Sequence, residues 1–138
     1  MIYVDTNYWV YWFDQRLPEH KHVTKPIRTA IHEGIVLSVV TLMEVAHYFR
    51  YLSRGNFRRR LSTIQNLATL TFIDLDLDIA ELAFDQLMKY AKIGIGGRDS
   101  VILATMKATS TKRIATHDQV FKKIKALEVI DPIPRSKG

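Results

Sequence analysis

Residues 2–13 read IYVDTNYWVYWF. Ile2-Tyr3-Val4 predicts a short buried strand, and the apolar spacing from Thr6 to Asp14 predicts a helix directly after it. Asp5 stands at the junction. Its simplest role is to cap that helix by accepting a backbone N–H from Asn7 or Tyr8. Its position just past a strand end also suits a ligand-binding carboxylate.

The strand-then-helix unit recurs. Further β-rich apolar stretches lie at Ile35 to Ser38, Thr71 to Asp74, Arg113 to Thr116 and Glu128 to Ile130. Helical spacing covers Pro18 to Glu33, Thr41 to Leu52, Phe57 to Leu70, Asp78 to Lys92 and Asp99 to Thr109. Alternation of this kind predicts an α/β protein of three layers, α/β/α, around a central, mostly parallel sheet of about five strands. There is no internal repeat, low-complexity stretch or linker. The expected organisation is one domain over residues 1–131 and a short tail, 132–138, with the DPIPRSKG end loosely ordered.

A chain of 138 residues with 47% apolar content can build a sizeable core. No apolar run approaches the roughly 18 to 20 residues that a membrane span needs, and the N-terminus is not a secretory signal. A soluble, cytoplasmic protein is the expectation. The absence of cysteine removes disulfides, thiolate metal sites and a Cys nucleophile. With 20 Lys and Arg against 14 Asp and Glu, the net charge of +6 favours an anionic partner.

In a parallel sheet ligands gather beyond the carboxyl ends of the strands, so the acids found there matter most. Asp118, in THDQVFKKI, follows the Arg113 to Thr116 strand and could cap a short helix. Asp99, in GGRDSVILATM, could cap another. Asp99 also shares a helical stripe with Ile102, Leu103 and Met106, which leans its carboxylate toward the core edge, where a charge needs partners. Glu44, in TLMEVAHYF, falls off the Leu42, Val45, Phe49 and Leu52 face, and its periodicity alone describes a solvated glutamate.

Asp74, Asp76 and Asp78 fail as a calcium loop, because Ile79 stands where glycine is required. Asp78 with Glu81 fits a capping box instead. Gly94, Gly96 and Gly97 fit an inter-helix loop better than a phosphate cradle, since no Lys-Ser/Thr follows. None of His20, His22, His32, His47 and His117 forms a metal pair at helical spacing.

Taken together, YVDTNYW, TLMEVAHYF, GRDSVILATM and IATHDQVF resemble, in order and over nearly the whole chain, the PIN domain family, especially VapC-type toxins of toxin–antitoxin pairs. The resemblance implies a Mg²⁺- or Mn²⁺-dependent ribonuclease in which Asp5, Glu44, Asp99 and Asp118 converge as metal ligands and catalytic acids. Asn7 and Thr116 would support them. Ser100 stands where many relatives carry alanine. Four carboxylates suit such ions, because hard divalent cations prefer oxygen. Without a cation these acids repel one another, so metal is expected to stabilise the fold as well. The resemblance leaves open a housekeeping PIN nuclease of RNA processing, or an RNA-binding or interaction module without catalysis. A histidine-based ribonuclease would instead work in chelator.

Setting the four pocket acids aside leaves 10 acids against 20 bases, a positive surround that suits RNA. In RYLSRGNFRRR, Arg50, Arg54, Arg58, Arg59 and Arg60 interleave with Tyr51 and Phe57, and are candidates for RNA contact or for a merely solvated surface. Lys122, Lys123 and Lys125 form a second such group. At 100° per residue Tyr8, Trp9, Tyr11, Trp12 and Phe13 cover most of a helix circumference, so they cannot all face the core. Trp9, Trp12 and Phe13 are candidates for a partner interface, and the resemblance implies a VapB-like antitoxin or a second copy in a homodimer.

Overall fold

The computed structural model describes residues 1–52 and 54–135, with the backbone alone at Arg54. Its strands are β1 (Ile2–Val4), β2 (Ile35–Ser38), β3 (Leu70–Ile73), β4 (Arg113–Ala115) and β5 (Glu128–Ile130). Six helices accompany them: α1 (Thr6–Phe13), α2 (His20–Glu33), α3 (Val39–Leu52), α4 (Phe57–Gln65), α5 (Leu77–Lys89) and α6 (Gly97–Ala108). The strands form one sheet in the order β3-β2-β1-β4-β5, and every pairing is parallel. This is the expected three-layer α/β/α architecture.

Strand order explains both burial and the location of the site. The central strands β1 and β2 are buried throughout, so they read as unbroken apolar runs, whereas edge strands β3 and β5 retain exposed positions. The chain starts in the middle, builds outward through β2 and β3, and then returns to place β4 on the other side of β1. Order therefore reverses between β1 and β4, which makes their carboxyl ends the switch point where a crevice opens. Asp5 follows β1 there, and Thr116 to Asp118 follow β4.

Boundaries moved where distant pairing overrode local pattern. Helix α4 ends at Gln65 rather than Leu70, because Leu70 is drawn into register with Ile35. Helix α5 begins at Leu77, capped by Asp76 through the Ile79 N–H at 2.9 Å, which replaces the expected Asp78–Glu81 box. Asp78 lies within its first turn. Helix α2 starts at His20 instead of Pro18 and closes at Gly34, whose φ of +104° suits glycine as the chain turns into β2.

Helix α1 packs against α2 and α3. Trp9 is fully buried, and its Nε1 donates to the Val4 carbonyl at 3.0 Å. Trp9 therefore drops out of the interface candidates: it has no surface to offer. Tyr8 is buried as well, while Tyr11, Trp12 and Phe13 are half-buried. Phe13 meets Phe49 edge-on at 4.8 Å, so neighbouring helices cover much of this aromatic segment. No helix among the described residues is long and apolar enough to cross a membrane.

Residues 131–133, directly after β5, are anchored. Ile133 packs into the main core, and the Asp131 side chain is only 2% exposed. Tyr8 Oη donates to Asp131 Oδ1 at 2.8 Å, while His117 Nδ1 and Lys122 Nζ stand 2.8 and 2.6 Å from Oδ2. Burial pushes the Asp131 carboxyl up, but the bonds from Lys122, His117 and Tyr8 outweigh it and hold it below its ordinary value of 3.8. A depressed carboxylate contributes stability above its unfolded pKa and loses it as pH falls through the lower folded value. Asp131→Asn should cost about 1–3 kcal/mol at neutral pH by urea denaturation. The gap to wild type should close in strong acid; a gap independent of pH would show that the Asp131 charge contributes nothing.

Candidate active site

Asp5 is fully buried, yet none of its bonding capacity is wasted. Its backbone N–H extends the β1–β4 ladder by one step to the Ala115 carbonyl at 2.9 Å, which fixes the residue at the sheet edge. The side chain caps α1, with Oδ1 accepting the Thr6 N–H at 2.8 Å rather than that of Asn7 or Tyr8. Oδ2 accepts the Thr116 hydroxyl at 2.7 Å. Thr116 in turn accepts the Asp118 N–H at 3.0 Å, so one hydroxyl ties the ends of β1 and β4 together.

The other acids arrive from separate elements. Glu44 lies on the second turn of α3, whose start directly follows β2. Asp99 is in the first turn of α6, where Oδ2 stands 3.4 Å from the Gly96 N–H. It reaches back to that amide from inside the turn; Gly96, not Asp99, holds the cap position. Asp118 caps the short 3₁₀ turn Gln119–Lys123, accepting the Val120 N–H at 3.2 Å. Asn7 Oδ1 accepts the His117 N–H at 3.3 Å and so steadies the same loop.

These residues line one cleft of about 420 Å³: Asp5, Asn7, Glu44, Asp99 and Asp118 share its walls with Thr6, Val10, Tyr11, Tyr48 and Arg98. Thr116 lies beneath, behind Asp5. The structure thus brings all four candidate acids together, Glu44 included, which periodicity alone had left in solvent.

Arg98 is the residue the sequence reading passed over. Its guanidinium forms ion pairs with Asp5, Glu44 and Asp99 at once, the last at 2.9 Å. Burial alone would lower the Arg98 pKa, but the Asp5 and Glu44 carboxylates outweigh that and raise it, so the cation persists at any ordinary pH. A signal for it existed. Arg98 is a cation in the first turn of a helix, where the macrodipole disfavours positive charge, a placement that nearby acidic partners would offset. Among the described residues no three acidic or histidine side chains are grouped so that they could hold one ion. The donor set still fits a hard divalent cation: all its oxygens are carboxylate, and four carboxylates against one guanidinium leave a formal charge of −3.

The arginine candidates divide. Arg50, Arg58 and Arg59 are exposed, and the Arg50 guanidinium lies 4.6 Å from the centre of the Tyr51 ring. Arg60 is half-buried, with Nη1 enclosed, and its charge reaches Asp14, so it offers less open surface than the other three. The Arg54 side chain lies outside the described residues. A different surface leads out of the cleft. Glu44, Tyr48 and Tyr51 occupy one stripe of α3 at spacings of four and three, and His47 meets both tyrosine rings edge-on at 5.8 and 5.7 Å. Tyr48 and Tyr51 are 52% and 69% exposed, large for aromatic side chains.

Solved structures share this fold. VapC20 of Mycobacterium tuberculosis, described as a sarcin-ricin loop cleaving toxin, superposes with a TM-score of 0.74 at 15% identity, over 89% of this chain and 94% of that one. VapBC2 from Rickettsia felis, bound to a promoter DNA fragment, gives 0.71 at 19% identity over 95% and 98%. FitAcB from Neisseria gonorrhoeae gives 0.69 at 24% identity over 96% and 98%. No curated protein sequence matches this chain. The PIN domain family model matches residues 2–127, which include every strand but β5 and all four cleft acids, and the chain belongs to the PIN domain family.

Proposed function

We propose that this protein is a metal-dependent endoribonuclease that hydrolyses RNA phosphodiester bonds, acts in the cytoplasm and is the toxin of a toxin–antitoxin pair. The observation that carries the reading is the convergence of Asp5, Glu44, Asp99 and Asp118, from four separate elements, on one cleft at the sheet's switch point. Buried like charges are costly, and a fold keeps them together where a cation or a reaction needs them.

Asp5 and Asp99 would be the principal metal ligands, with Glu44 and Asp118 as further ligands or acceptors that orient a water. The chemistry supplied by a bound Mg²⁺ or Mn²⁺ is polarisation of the scissile phosphate and a lowered pKa for water. The protein's own work is positional. Asp5 is locked by Thr6, Thr116 and the Ala115 carbonyl, so its carboxylate needs little reorganisation when the reaction begins. Thr116 keeps Asp118 in step with Asp5, and Asn7 holds the loop between them. No side-chain nucleophile is required.

The α3 stripe supports an unpaired RNA strand as substrate. Tyr48 stands at the cleft and Tyr51 one turn farther on, with the Arg50 cation over its ring; exposed rings give bases a stacking platform and the arginine takes a phosphate. Arg58 and Arg59 would extend this positive rim. A structural neighbour supports a protein partner: the structure from Klebsiella pneumoniae is described as a toxin-antitoxin complex. A VapB-like antitoxin covering half-buried Trp12 and Phe13, and a homodimer of the chain, complete the proposal.

Cleavage of an unpaired RNA pool should require Mn²⁺ or Mg²⁺, stop in EDTA, and fall by about 10²-fold or more in Asp5→Asn and Asp99→Asn, the loss expected when a preorganised charge is removed. Persistence in EDTA or in both variants would place the chemistry elsewhere. Tyr51→Ala should weaken binding of single-stranded RNA by about 1–3 kcal/mol and leave duplex binding little changed, measured by fluorescence anisotropy. Arg58→Ala with Arg59→Ala should lower the slope of log K against log salt by about one for each phosphate that an arginine neutralises. An unaltered slope would remove these arginines from the RNA path.

A further inference from the structure

The cleft raises a question that its four acids do not answer. Three carboxylates from β1, α3 and α6 already have a shared cation, and it belongs to the protein. Arg98 bonds Asp5, Glu44 and Asp99 together, and it also reaches the Thr6 hydroxyl at 3.4 Å, itself 3.4 Å from Glu44. Asp118 lies in the same cleft but its oxygen is engaged by the Val120 N–H instead. A guanidinium has five N–H donors in a fixed fork, and here all three of its nitrogens are committed to a different acid.

We propose that Arg98 is a resident counter-cation that competes with the divalent metal: it holds the metal-free acids in place, and it must leave them before they can close on an ion. The inference rests on the metal-dependent reading above. Two observations carry it. Each carboxylate oxygen Arg98 holds belongs to a residue assigned there as a metal ligand, so guanidinium and metal draw on the same three carboxylates. In the arrangement that has Arg98 among the acids, no three acidic or histidine side chains of the described residues are grouped so that they could hold one ion. The metal-binding arrangement is thus the minor state of the free protein, and the measured affinity is the intrinsic one reduced by the fraction of molecules in which Arg98 has moved aside. The side chain has room to do so, being 30% exposed at the cleft wall.

The consequence is a protein whose site survives without metal. Like charges that would repel are paired internally, so the metal-free chain keeps its fold and its ligands stay near their working positions. Arg98 would be a positioning residue, acting through the acids rather than on the phosphate.

The test uses the intact chain and readouts other than cleavage. Mn²⁺ affinity is measured by the EPR signal of the free ion for wild type, Arg98→Gln and Arg98→Lys. Arg98→Gln should bind Mn²⁺ about ten- to hundredfold more tightly, the factor expected if the closed arrangement holds about 90–99% of the free protein. Arg98→Lys, with one point charge in place of the fork, should fall between. Metal-free Arg98→Gln should melt below wild type and gain more from Mn²⁺. Should the glutamine variant not fold without metal, wild type alone still decides the question. Its Arg98 Nε–H resonance, identified by its absence from Arg98→Lys, should shift when diamagnetic Mg²⁺ is added. Equal Mn²⁺ affinity in all three proteins, or an Arg98 resonance unmoved at saturating Mg²⁺, overturns the competition while leaving the metal reading intact. Failure of all three to bind Mn²⁺ overturns both.

Discussion

A carboxylate with no solvent access sits where β1 ends, and the architecture around it follows from the need to satisfy that charge. Taking an ionised group out of water is expensive unless hydrogen bonds and an opposite charge replace its hydration. Asp5 obtains both from three directions: the first turn of α1 gives a backbone N–H, the end of β4 gives the Thr116 hydroxyl, and α6 gives the Arg98 guanidinium. Each partner comes from an element that packs against or follows the sheet centre. The bonds that make the carboxylate tolerable are therefore the ones that fix the switch point in space. Rigidity at the site comes from solving a solvation problem.

The fold was legible because its central strands have no choice of face. A parallel strand buried on both sides must be apolar throughout, and Ile2 to Val4 and Ile35 to Ser38 announce themselves in that way. Edge strand β3 and the end of α4 were misplaced, since Leu70 fits either pattern and only its pairing with Ile35 decides. The same distinction governs the site. Asp5 and Asp118 could be found because they follow strands, and Asp99 because it shares an apolar stripe. Glu44 could not be found from its own helix: what gives it a role is the approach of the α6 N-terminus, a tertiary fact. Arg98 was hidden beside the acid that drew attention. Trp9 failed in the opposite sense, having surface-compatible spacing that the packing of α1 turns inward.

Capping and placement in the cleft, set out as rival explanations of the same acids, turn out to be compatible in one arrangement. A carboxylate carries two oxygens and about four lone-pair sites, so a single backbone N–H leaves most of its acceptor capacity unused. Asp5 gives Oδ1 to the Thr6 amide and Asp118 gives Oδ1 to that of Val120, and both carboxylates still face the cleft. The cap bond does for the site what a separate support would otherwise have to do: it fixes the rotamer against a backbone that cannot move independently of its helix. For Asp5 the local bond to the Thr6 amide is what Asp-Thr-Asn after a strand encodes, while the distant Thr116 and Arg98 complete its surroundings.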